Sequence, residues 1–211
     1  MGDAGGGREA VGGGLPRVAA VVSTLGSPFI VTAVAVALVV LLLQPSLSEL
    51  LLWGAIGLVC GAGIPFLFVY HLWRRGHVGD VHLARREQRA APFGAALASG
   101  AVGVVLLHAV GAPRELVALG CVYVALGLTL TLISLWWKIS VHVAVYIACV
   151  LSVALVGYAG ALYALIGVPM MIWARVYRGR HSIVQGVAGT LVGATVTPLV
   201  YWIALALLPG A

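Results

Sequence analysis

The stretch "ELVALGCVYVALGLTLTLISLWW", Glu115 to Trp137, decides the fold. After Glu115 it carries no charge until Lys138, and no turn cluster or polar alternation interrupts it. A helix needs about 20 apolar residues to cross the ~30 Å hydrocarbon core of a bilayer. The stretch is long enough, and it ends in the tryptophan pair Trp136 and Trp137, a residue type favoured at membrane interfaces.

Reading outward in both directions, the pattern recurs. Of the 211 residues 62% are hydrophobic and 9% charged, with a mean hydropathy of +1.11. Soluble chains are about half apolar and a quarter charged. A Lys, Arg or Asp at the centre of a spanning helix costs roughly 2.5–3.5 kcal/mol on insertion, so charge collects in the linkers. The expected fold is an all-α polytopic membrane bundle of about seven (six to seven) transmembrane helices. The expected spans are Ser27–Leu43, Leu50–Trp73, Phe93–Val110, Glu115–Trp137, Ser140–Tyr158, Gly160–Arg175 and Ser182–Leu208. Leu15–Leu25 reads as an interfacial helix ahead of the first span.

Residues 1–14 are Gly-rich without an apolar run and read as a disordered tail rather than a signal peptide. Residues 15–211 read as a single membrane-embedded domain, with no soluble module and no sequence repeat. Cys60, Cys121 and Cys149 all fall in apolar runs and read as packing residues, with no disulfide or metal spacing. The small-xxx-small patterns from Gly57 ("GLVCG") and Gly189 ("GTLVG") predict close helix packing. Pro65, Pro169 and Pro198 predict kinks.

Of the 12 Lys and Arg, only Arg114 lies in the linkers "QPSLSE", "GAPRE" and "GYAG". The others lie in the N-terminal region or in "RRGHVGDVHLARREQRAAP", "KIS" and "RVYRGRH". This bias predicts a cytoplasmic charged face and N-terminus. The +6 net charge is therefore a topology signal and does not point to nucleic acid. The compact, Ala/Val/Gly-rich composition suggests a bacterial cell membrane.

Each charged linker runs into the N-terminus of a span, at Phe93, Ser140 and Ser182. Helix N-termini offer unpaired N–H groups and a positive dipole end, so they attract anions. Ser140 and Ser182 are also good capping residues. Arg85, Arg86, Arg89, Lys138, Arg175 and Arg180 add charge-assisted donors from the same side. If these ends converge, they form an anion cradle at the membrane surface. His142 and His181 sit at two of those helix starts. Two histidines beside such a cradle permit two-step phosphoryl transfer, in which one attacks phosphorus and the other protonates the departing oxygen.

At this point the residues resemble the type 2 phosphatidic acid phosphatase superfamily. "ARVYRGRHSIVQG" is similar to its third signature, "KISVH" to its second, and "HLARREQRAAP" stands where its first would be. The resemblance runs from about Asp80 to the end of the chain. It implies that His181 is the nucleophile and His142 the general acid, and that Arg175 and Arg89 bind phosphate beside Ser140. It also implies no cofactor and no metal, and an amphiphilic phosphate ester or diphosphate as substrate. In the family, an Asp orients the nucleophilic His; here Gln185 stands in its place. Among the few acidic residues, Asp80 is the one expected to take that role. The expected activity is hydrolysis of a prenyl, polyprenyl or glycerolipid phosphate through a phosphohistidine, with the site on the cytoplasmic face and membrane lipids as the surroundings. The alternatives are a prenyl-diphosphate-ionising transferase or cyclase, and a binder or transporter on a degenerate scaffold.

Overall fold

The structure, a computed structural model, describes residues 14–78, 88 and 90–209. These residues form helices and connecting turns, with no strand among them. In chain order the helices are α1 (Gly14–Leu25), α2 (Pro28–Leu42), α3 (Leu47–Leu58), α4 (Ile64–Arg74), α5 (Ala90–Ala109), α6 (Arg114–Trp136), α7 (Val141–Leu155), α8 (Gly167–Tyr177) and α9 (Ile183–Leu207). A π-helical turn, Val59–Gly63, joins α3 to α4, and a 3-10 helix, Ala159–Ile166, precedes α8.

Each expected span is matched by helix. By length and composition, Leu47–Arg74, Ala90–Ala109, Arg114–Trp136, Ala159–Tyr177 and Ile183–Leu207 can each cross a bilayer. The pair α1 and α2, bent by 50°, makes a sixth if taken together. The architecture is that of a polytopic membrane helical bundle. Two expected spans differ. α2 has 15 residues and is long enough only together with α1, which the sequence had set apart as an interfacial helix. α7 also has 15 residues, ~22 Å of helix against a core of ~30 Å. It stops because Gly157 turns the chain back at φ 120°, a conformation costly for any residue with a Cβ. Its burial accounts for the short length, since His142, Val143, Ala144, Ile147, Ala148, Val150 and Val153 are all buried. α7 is the central post of the bundle, packed by α2, α9 and the 3-10 segment.

The large exposed residues are those a hydrocarbon solvent favours, among them Leu67, Val105, Leu191 and Leu199. A helix that is apolar all round belongs in lipid or in a core.

The two small-residue patterns are packing sites, as their spacing predicts. A Cβ at Gly189 would stand 2.6 Å from the Ser140 carbonyl oxygen, and one at Gly193 would stand 2.5 Å from that of Ala144. α9 therefore lies directly on the backbone of α7. On the other side, a Cβ at Gly57 would meet Val36 Cγ1 at 2.7 Å, which sets α3 against α2.

Pro65 acts together with the π turn. The Ile64 N–H reaches back to the Val59 carbonyl, and Pro65 has no N–H to offer Cys60. The Cys60 carbonyl is satisfied instead by the Ser99 hydroxyl of α5, at 2.6 Å. An unpaired carbonyl in a membrane interior costs several kcal/mol, so this cross-helix bond is what makes the break tolerable.

Candidate functional site

Three chain segments meet on the charged face: the end of α8 with the turn after it, the start of α9, and the start of α7. The turn after α8 is fixed by its own backbone. Arg180 N–H donates to the Arg175 carbonyl at 2.9 Å, and Gly179 N–H donates to that of Val176 at 2.8 Å. These are the two bonds of a Schellman cap, with Gly179 left-handed at φ 62°. His181 N–H also reaches the Arg175 carbonyl, at 3.3 Å. The Arg-x5-His spacing thus folds the nucleophile candidate back over the helix end that carries Arg175.

Ser182 then starts α9 with a capping box. Its hydroxyl accepts from Gln185 N–H at 3.3 Å, and its own N–H donates to Gln185 Oε1 at 3.2 Å. The same Oε1 lies 2.9 Å from His181 Nδ1. A backbone N–H can only donate, so the Gln185 atom facing Ser182 must be the carbonyl oxygen. An amide oxygen can only accept, so His181 donates to it from Nδ1. Gln185 therefore fixes the tautomer. In the protease template the amide substitution loses about 10⁴-fold because it selects the wrong tautomer. Here the Ser182 cap holds the amide the right way round.

α7 is pinned to the same place. Ser140 N–H donates to the Gln185 carbonyl at 3.2 Å. Ser182 caps its helix as expected. Ser140 does not, since no side-chain cap bond is made at α7. Its hydroxyl is fully buried and has no hydrogen-bond partner among the described residues. A buried hydroxyl without a partner costs about 1–3 kcal/mol.

Arg175 is 2% exposed and His142 4%. Arg175 Nη1 donates to the Ser23 hydroxyl at 2.8 Å and stands 3.5 Å from His142 Nε2. A buried guanidinium loses several kcal/mol of hydration, so it is held by directed contacts. Ser23 is one of these and was not among the expected residues. α1, read as interfacial, packs on α8 and delivers a fully buried hydroxyl to Arg175.

His142 and His181 line one cavity of about 240 Å³, together with Pro92 and Phe93 of the first turn of α5. Its remaining walls are almost wholly apolar.

Of the expected site residues, His181, His142, Arg175 and Ser140 are brought together. Of these, only the two histidines line the cavity; Arg175 and Ser140 are buried beside it, and Lys138 and Arg180 sit half-buried on the adjoining turns. Asp80, Arg85, Arg86 and Arg89 lie outside the described residues. No group of three or more His, Cys, Asp or Glu is placed to hold a metal ion among the described residues.

Scans against protein-family models, curated proteins and solved structures return no match.

Proposed function

We propose that the protein is an integral membrane lipid phosphatase working through a phosphohistidine, as the resemblance of its three motifs suggests. The observation that carries this reading is the pair of histidines on one cavity wall, one with its tautomer fixed for attack and the other 3.5 Å from a buried arginine.

The phosphate group lies against Arg175 and the Ser140 hydroxyl. His181 Nε2 attacks phosphorus while the bond to the alkyl oxygen breaks, and His142 gives that oxygen a proton as the alcohol leaves. Water then attacks phosphorus, His142 takes its proton, the P–N bond breaks and inorganic phosphate departs. Arg175 holds the charge spread over the non-bridging oxygens throughout. Arg89, Arg85 and Arg86, just ahead of α5, are proposed as further phosphate ligands, with Lys138 and Arg180 at the rim.

The proposed substrate is a prenyl or polyprenyl phosphate or diphosphate, with phosphatidate second. The bias of Lys and Arg toward one face favours a cytoplasmic site in a bacterial cell membrane. A second reading, a lipid-phosphate binder, draws on Gln185: an amide orients His181 but brings no negative charge to balance an imidazolium. Phosphate release from a panel of lipid phosphates, with and without EDTA, separates the two. A hydrolase releases phosphate in both conditions, whereas a binder retains substrate and releases none.

A further inference from the structure

We infer that the cavity behind the two histidines is a tail chamber, which admits one hydrocarbon chain of about ten to fifteen carbons and excludes two-tailed lipids. This rests on the lipid-phosphate reading of the site and narrows it to short single-chain substrates, at the expense of polyprenyl phosphates and phosphatidate.

The cavity runs inward from the catalytic histidines. Along α7 its wall extends from His142 to Ser152, and along α5 from Phe93 to Leu107. At 1.5 Å per residue these lengths are about 15 and 21 Å. One leaflet of a ~30 Å hydrocarbon core is about 15 Å deep, the depth that one lipid tail fills. The volume gives a similar answer. An apolar cavity of about 150 Å³ holds benzene, so about 240 Å³ holds a chain on the order of ten carbons.

Val39, Leu107 and Leu116 line the far end and belong to a single buried cluster, so a chain that reaches them meets packed side chains. The middle is kept open by the break in the third helical segment, because the π turn and Pro65 line the chamber with Cys60 and Gly61. π turns in otherwise α-helical segments are frequent at functional sites.

A single-chain lipid phosphate is the occupant because the chamber is continuous with the histidine pair and otherwise apolar. A phosphate held at the mouth sends its tail inward. Tail burial alone contributes little selectivity, since the competing solvent is lipid. Selection therefore comes from exclusion: chains longer than the chamber, or paired chains, do not fit.

The test uses the full-length protein in detergent micelles and a dodecyl phosphate with a terminal diazirine. Photolysis should label Val39, Leu107, Leu116 or their immediate neighbours. Labelling confined to outward-facing residues such as Val105 and Leu199 overturns the proposal, as does labelling no greater than that from the matching dodecanol probe. This readout does not depend on turnover. A ladder of monoalkyl phosphates should show kcat/KM falling at least about ten-fold once the chain outgrows the chamber. Ser152→Phe should move that limit to shorter chains and Leu116→Ala to longer ones. Hydrolysis of phenyl phosphate and of every chain length alike would remove the chamber and leave the phosphatase. Interior labelling without phosphate release from any substrate would do the reverse.

Discussion

Gln185 Oε1 lies 2.9 Å from His181 Nδ1 and also accepts the Ser182 N–H. One amide oxygen thus caps a helix and sets the tautomer of a histidine. Gln185→Leu removes the tautomer control and should lower kcat by at least about 10²-fold, with little change in KM. Gln185→Glu keeps the acceptor and adds a charge, and should retain activity. Steady-state phosphate release checks both, and near-wild-type kcat in the Leu variant contradicts the role.

His181 Nδ1 already has Gln185 Oε1 as its acceptor. Asp80→Asn should therefore leave kcat within several fold of wild type. A loss of orders of magnitude would instead support the orienting role that the sequence inventory assigns to Asp80.

Ser23 is an outer partner of Arg175, donated by a different helix. Ser23→Ala removes one hydrogen bond to a charged group, worth about 1.5–3 kcal/mol. The expected result is a KM raised about ten-fold or more with kcat less affected. An unchanged KM would show that Arg175 is held without α1.

Gly189 and Gly193 allow α9 to lie on the α7 backbone, and the same contact holds Ser140 beside Gln185. Gly189→Leu should lower the melting temperature in detergent and abolish activity, since overpacking costs about 1–3 kcal/mol even where side chains can shift. Here the obstacle is a carbonyl oxygen, which cannot rotate away. Gly54→Ala, where the added carbon meets nothing within 4 Å, should be neutral.

The helices were legible because charge is absent from their interiors, as in the stretch from Glu115 to Trp137. The glycine contacts were legible from spacing alone. The short α7 was not, because a short helix inside the bundle carries the same apolar signal as one that crosses. Neither was the π turn, since Pro65 marks a break without specifying its hydrogen bonds. In the site, S-x-x-Q at Ser182 to Gln185 is a capping-box pattern that sequence can give. That its oxygen also reaches His181 depends on the preceding Schellman turn. The Ser23 contact was out of reach, because it joins residues far apart in the chain through the docking of α1 on α8.

The two-histidine mechanism is tested most directly by trapping its intermediate. The His142→Ala variant, mixed with a good-leaving-group substrate such as phenyl phosphate and quenched at alkaline pH, should carry phosphate on His181 when mapped by mass spectrometry. The label should be absent when His181→Ala is added. Unlabelled His181 in a variant that still releases phosphate, or turnover within a few fold of wild type in His181→Ala alone, would contradict the mechanism.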